Sequence, residues 1–188
     1  MDTKAKILEQ AWNLYRRRGF SHVTVNEICT ASEITKPTFY NYFKNKEDTI
    51  THIYDDITEG IVGDVPQLIL AANYYEQLRL CFQSLVKQSA DIGVEIISQM
   101  FRINLEDDLG SFDFRERFSA VCIAITQRGQ EAGQFFNTGK PRDLYEALCY
   151  AFSGYEVTWC IKNGDFDFEK EMDRAIQTIY MVDPKLYS

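Results

Sequence analysis

Gly19 to Asp48 reads GFSHVTVNEICTASEITKPTFYNYFKNKED, and these thirty positions decide the fold. Thr24-Val25-Asn26-Glu27 is a capping box: the Thr24 hydroxyl accepts from the amide of Glu27, whose carboxylate reaches back to the amide of Thr24. The helix it opens has a short apolar face, Val25, Ile28 and Cys29, and the pattern breaks after Ala31. Ser32-Glu33-Ile34 then makes a compact turn with one apolar anchor. The next helix begins at once, with Thr35 as N-cap and Pro37 in the first turn, where a missing amide hydrogen costs nothing. Phe39 and Phe43, four apart, form the buried face of this segment, so Lys36, Thr38, Tyr40, Asn41 and Tyr42 are left to solvent. Asn45 caps a further helix whose first turn carries Glu47 and Asp48, the sign that suits a helix N-terminus.

Upstream, Ile7, Ala11, Leu14 and Tyr15 make the stripe of a longer amphipathic helix. Asp2 or Thr3 starts it, Gly19 ends it, and Arg16, Arg17 and Arg18 complement its C-terminal dipole. Two short helices joined by a three-residue turn and packed on a longer first one form a helix-turn-helix. A groove-reading helix exposes hydrogen-bonding side chains near its N-terminus, and this one offers Lys36, Thr38 and Asn41. Two exposed tyrosines beside two buried phenylalanines are wasteful unless their hydroxyls touch something. Thr24 and Lys46 flank the segment with further donors for phosphate.

The stretch from Gly19, and above all T-K-P-T-F-Y-N-Y-F-x-N-K-E from Thr35, resembles the DNA-binding segment of the TetR family of regulators. The resemblance covers about the first quarter of the chain. It implies an all-α protein with an N-terminal three-helix DNA-binding domain, placed at 1–48, and a helical ligand-binding and dimerisation domain at 49–188. It implies phosphate contacts through Thr24, Thr38, Tyr40 and Lys46. Base reading falls to Lys36, Pro37, Asn41 and Tyr42, with help from Asn26. One position departs from the pattern: Glu33 stands where the turn usually carries glycine, and must accept whatever backbone angles the turn demands.

The charge distribution agrees with two modules. Residues 1–50 hold eight Lys or Arg against six acids, and the remaining residues hold twelve against twenty-two, so a net charge of −8 conceals a step from +2 to −10. Only the first module suits phosphates. No apolar run reaches the ~18 residues that cross a bilayer. The charged, helical first twenty residues do not read as a secretory leader, so a cytoplasmic protein without membrane association is expected. The five cysteines are odd in number and contain no C-x-x-C pair, which suits core residues in a reducing compartment.

Beyond the first module the helical period continues. Ile50, Ile53, Tyr54, Ile57 and Ile61 extend the fourth helix as a connector until Gly63 to Pro66. Later helices are expected near 74–89, 91–105, 114–132, 142–163 and 168–181, separated at Gly110, Gly133 to Gly139 and Gly164. The last two are apolar over more than one face, which requires cover from more than one side. A four-helix bundle shared between two copies meets that need, with Tyr155, Trp159, Ile176, Ile179 and Tyr180 as candidate interface residues; the resemblance implies a homodimer too. A pocket for a small-molecule effector has candidate walls in Tyr54, Ile57, Phe82, Leu85, Met100, Phe101, Phe118, Cys122 and Ile125. With few charges to line it, an uncharged or amphipathic ligand is expected.

Other functions find less support. His22 and His52 stand alone, acidic pairs such as Asp107-Asp108 and Glu169/Glu171 fall at helix ends, and neither phosphate loop nor nucleophile elbow is present, so no enzyme, cofactor or metal site is expected. A helical adaptor without specific DNA binding, or an activator of the same fold, are the alternatives to a ligand-released repressor on a near-palindromic double-stranded operator. Steep salt dependence of DNA binding separates the regulator from the adaptor.

Overall fold

The computed structural model describes residues 2–59, 68, 70–113 and 116–187, with the side chains of 54–59 outside the description. The described residues form helices and connecting turns with no strand; one isolated antiparallel bridge, Phe135 to Val182, is the nearest approach to a sheet. The chain divides into two compact units, Met1–Glu59 with Glu95–Ser111, and Gly60–Val94 with Phe112–Ser188.

The first unit holds α1 (Thr3–Arg18), α2 (Val25–Ser32), α3 (Lys36–Tyr40), α4 (Lys46–Glu59) and, beyond its first residue, α6 (Val94–Glu106). α1 packs on α2 and α4, and α2 packs on α3. Ile7, Ala11 and Tyr15 of α1 are buried, as are Phe20, Val23, Ile28, Cys29, Phe39, Phe43, Ile50 and Ile53. The Tyr15 hydroxyl lies 2.7 Å from Thr49 Oγ1, and Thr49 passes its own proton to the carbonyl of Lys46 at 2.6 Å, so α1 and α4 are joined by a relay of two buried hydroxyls. Burial pushes the Tyr15 hydroxyl well above the usual phenol range.

Local chemistry sets the helix ends. Thr24 and Glu27 make the capping box expected of them: the Glu27 amide donates to Thr24 Oγ1 at 3.3 Å and the Thr24 amide donates to Glu27 Oε2 at 2.8 Å. Thr35 accepts from the Thr38 amide at 3.3 Å, and Asn45 accepts from the Asp48 amide at 2.8 Å. Asp2 precedes α1 without a side-chain cap bond.

The second unit holds α5 (Tyr74–Ile92), α7 (Glu116–Glu131), α8 (Pro141–Ile161) and α9 (Phe168–Tyr180). α5 packs on α7 and α9, and α8 packs on α7 and, most extensively, on α9. Leu78, Phe82, Cys122, Tyr145, Leu148, Met172 and Tyr180 are among the residues of its core. Asn73 and Asp167 cap α5 and α9 by accepting the amides of Glu76 and Lys170. Ser119 donates to Tyr145 Oη at 2.9 Å inside this core. The breaks at Gly110, Gly133 and Gly164 fall between helices with positive φ, as punctuation by glycine requires. The break expected at Gly63 to Pro66 lies outside the described residues.

Candidate nucleic-acid interface

The reading segment is shorter as a helix than its sequence suggests. α3 closes at Tyr40; the amides of Tyr42 and Phe43 both donate to the single carbonyl of Phe39 at 3.0 Å, so residues 41–43 continue as a tightening turn. The next residues are committed elsewhere: the Lys44 amide donates to Asp48 Oδ2 at 2.9 Å, and Asn45 caps α4. The two phenylalanine rings still lie together, 5.4 Å between centroids, and both are buried.

Outside that buried pair, Lys36, Pro37, Tyr40, Asn41 and Tyr42 are exposed, and Thr38 is half-buried. Tyr40 retains 54% and Tyr42 41% of its surface. Tyr40 stands edge-on to Phe39 at 5.5 Å between centroids, a favourable aromatic contact for a residue that is otherwise exposed. Thr35 and Thr38 share a hydrogen between their hydroxyls at 2.8 Å. Thr24 and Asn26, at the start of α2, are exposed as well.

Lys46 departs from the picture of a free cation beside the DNA. Its ammonium donates to the carbonyls of Phe20 and Val23, each at 2.9 Å, and sits 3.9 Å from the centre of the Phe20 ring. It therefore ties the turn before α2 to the first residue of α4. Arg18 is likewise engaged, with Glu27 at 2.5 Å and with the His22 carbonyl at 3.2 Å, while Arg16 and Arg17 are exposed. The Thr24 amide, the Arg18 guanidinium and the Thr24 hydroxyl hold the Glu27 carboxyl down to about 2.

Glu33, in the turn between α2 and α3, adopts the left-handed conformation (φ 56°, ψ 43°) that glycine takes with less strain. The amide of Ile34 reaches back to the Cys29 carbonyl at 3.0 Å, closing the helix end. The side chain turns toward α1 and accepts from Lys6 at 2.7 Å, which holds its pKa below the usual carboxylate range. The acid beside the reading segment is thus paired with a cation.

A contact that periodicity does not reveal joins α6 to the same unit. Glu95 Oε1 accepts from both the amide and the hydroxyl of Ser21, at 2.9 and 2.8 Å. Gly19, at φ 78° and ψ 149°, leaves the room that carboxylate occupies: a Cβ there would stand 2.7 Å from Glu95 Oε2.

The candidate effector residues fall into different groups. Phe82, Phe118, Cys122 and Ile125 are buried together in the second unit with Leu85 packed against them. Met100 and Phe101 belong to α6 of the first unit, and the side chains of Tyr54 and Ile57 lie outside the described residues. Of the candidate interface residues, Ile176 and Tyr180 are sealed in the core of the protomer, whereas Tyr155, Trp159 and Ile179 are half-buried. The exposed apolar stripe on the last pair of helices is a different one: Tyr150, Val157 and Ile161 of α8, with Gly154 between them and nothing within 4 Å of its missing side chain. Their spacing, at i, i+4, i+7 and i+11, was available in the sequence, but the surrounding apolar residues obscured which face was covered.

No helix among the described residues is long and apolar enough to cross a membrane, and among the same residues no group of three His, Cys, Asp or Glu could hold a metal ion.

Comparison with known proteins fits this geometry. Residues 7–51 match the model of bacterial regulatory proteins, tetR family. The HTH-type transcriptional repressor KstR2 of Mycolicibacterium smegmatis is 24% identical over 159 residues, which cover 82% of this chain and 75% of that protein. The probable HTH-type transcriptional regulator YttP of Bacillus subtilis is 33% identical over 60 residues, 32% of this chain and 29% of its own. The fold is shared with Thermus thermophilus FadR, crystallised with lauroyl-CoA (TM-score 0.71, 20% identity, covering 94% of this chain and 92% of that one). It is shared also with RolR in complex with resorcinol (TM-score 0.70, 20% identity, covering 98% and 90%). The capped helix-turn-helix and the outward-facing α3 thus lie within the stretch, residues 7–51, over which the chain matches bacterial regulatory proteins of the tetR family.

Proposed function

We propose that this protein represses transcription as a homodimer on a near-palindromic operator, and that a small-molecule effector releases it. The observation that carries the reading is the exposure of Tyr40 and Tyr42 beside the sealed Phe39 and Phe43. In this reading Lys36, Pro37, Asn41 and Tyr42, helped by Asn26, meet base edges. Thr24, Thr38 and Tyr40 meet phosphates, Thr35 holds the start of the helix, and Lys46 chiefly fixes the turn that positions them.

The stripe of Tyr150, Gly154, Val157 and Ile161 supports dimerisation. A glycine between apolar side chains lets a second helix approach closely, and solvent exposure of such a stripe is unfavourable. Tyr155, Trp159 and Ile179 border the same pair of helices. The effector site belongs to the second unit, around Phe82, Leu85, Phe118, Cys122 and Ile125. KstR2 is named a repressor, and two proteins of the same fold were crystallised with lauroyl-CoA and resorcinol, which supports repression relieved by an organic effector. The protein acts by binding, without catalysis, in the cytoplasm.

Selection of bound sequences from a random DNA pool tests this directly. The expected outcome is an inverted repeat whose half-sites lie ~34–36 Å apart, or a multiple of that distance. Recovery of random sequence, or of a single half-site, overturns the dimeric operator reading.

A further inference from the structure

Glu156 is a carboxyl group in the interior of the second unit, 1% exposed, on the helix whose sequence reads as one of the most apolar in the chain. One oxygen, Oε1, lies 2.5 Å from the hydroxyl of Ser89 on α5. For the other, Oε2, no partner lies within hydrogen-bond reach among the described residues. Ser89 has one proton and faces two acceptors, since the Leu85 carbonyl is 3.1 Å away. If Glu156 is ionised, Ser89 donates to Oε1. If Glu156 is neutral, the consistent chain runs from a proton on Oε1 to Ser89 and on to Leu85. In both states Oε2 is an acceptor that lacks a donor, and a buried acceptor left bare is costly.

The surroundings restrict what that donor is. Phe152 and Trp159 lie at i−4 and i+3 from Glu156, on the same stripe of α8. Both rings pack against Phe168, at 5.0 and 6.5 Å between centroids. A carboxyl group beside a cluster of aromatic rings is the combination that recognises a cation with an apolar body, by charge at one end and ring faces at the other.

We infer that Glu156, with Ser89 and the rings of Phe152 and Trp159, is the polar end of the effector site and takes a protonated amine carried on an apolar skeleton. The inference rests on the reading that the second unit binds an effector, and of the uncharged and amphipathic ligands that the sequence leaves open it selects the amphipathic one. An amine would donate to Oε2, complete the carboxylate's bonding and draw α5 and α8 together at Ser89.

The test uses the full chain carrying Trp12→Phe, so that Trp159 is the remaining tryptophan. Decylamine, decanol and decanoate share a skeleton and differ only in the head group. Titrated against Trp159 fluorescence, decylamine is expected to bind at least tenfold more tightly than either of the others. Glu156→Gln, which keeps the shape and removes the charge, is expected to bring the three within about threefold; Phe152→Leu, which leaves the carboxyl in place, is expected to weaken the amine severalfold. Equal binding of the three head groups, absence of saturable amine binding, or an unchanged preference in Glu156→Gln overturns the proposal. Anisotropy with the selected DNA is measured on the same samples. A protein that binds its operator without any amine preference refutes this site alone. One that prefers the amine yet ignores DNA refutes the regulator reading alone.

Discussion

Glu95 and Ser21, 74 positions apart, are clasped by two hydrogen bonds to a single carboxylate oxygen, and the bare α-carbon of Gly19 makes room for the other. The chain passes from the second unit to the first at Val94, so this clasp lies at the first residue of the returning segment. A hydrogen-bonded carboxylate here fixes the start of α6 against the turn that follows α1.

Gly19→Ala is accordingly expected to destabilise the protein by about 1–3 kcal/mol, because the φ and ψ at this position are open to little besides glycine. Part of that loss comes from the collision with Glu95, so it should shrink in a Glu95→Ala background. Urea unfolding followed by tryptophan fluorescence on the four proteins of the cycle measures the coupling. Additive effects would mean that the two residues do not share the space described.

Glu27 gives a pH signature. Its folded pKa, about 2, lies below the ordinary carboxylate value of 4.5, so its contribution is present above about 4.5 and is lost as pH falls toward 2. The melting temperature of the native protein should exceed that of Glu27→Gln at pH 6, and the two should converge by pH 2. A difference that persists unchanged into acid would show that the carboxylate charge is not what closes the capping box.

Lys36 and Lys46 should separate in their effects on DNA binding. Lys36 is exposed, so Lys36→Ala is expected to relax preference at particular bases by about 1–3 kcal/mol while leaving the melting temperature unchanged. Lys46 holds two carbonyls and an aromatic face, so Lys46→Met should lower stability by about 1–2 kcal/mol and weaken all DNA sequences together. Its effect on the salt slope should be smaller than the full unit expected of a free phosphate contact. Equal loss on operator and random DNA for Lys36→Ala would remove it from base reading.

Glu156 acts on stability in the opposite sense to Glu27. Burial pushes its carboxyl up to about 7 against the Ser89 hydrogen bond, so the native state holds a proton that the unfolded chain has released. Stability therefore falls between pH 4.5 and 7, by a total on the order of 3 kcal/mol, and levels off above. Glu156→Gln should flatten this slope and gain stability relative to the native protein at pH 8. Parallel profiles for the two proteins would place the carboxyl in contact with water.

Much of this fold was legible because the decisive interactions are local. The capping residues Thr24, Thr35 and Asn45 each find a partner three positions on, and Phe39 with Phe43 marks the inward face within a single turn. Contacts between distant segments left no such trace. Lys46 reads as a free cation, and nothing in the sequence singles out Glu95 or Glu156, because one residue type is compatible with exposure or burial until the opposing helix is placed. The α3 boundary was missed for a related reason: the side chains of residues 41–43 keep helical spacing, whereas the amides of Tyr42 and Phe43 converge on the one carbonyl of Phe39. Ile176 and Tyr180 carried the same apolar signature as a subunit surface and turned out to fill the protomer's own core.

The brevity of α3 has an evolutionary corollary. A segment this short owes its shape to two inward rings and to its flanking caps, while the letters turned outward contribute little to holding it. Outward substitutions can thus wander among neighbouring specificities without passing through unfolded intermediates, and a promoter can acquire a new half-site while the same scaffold follows it one side chain at a time.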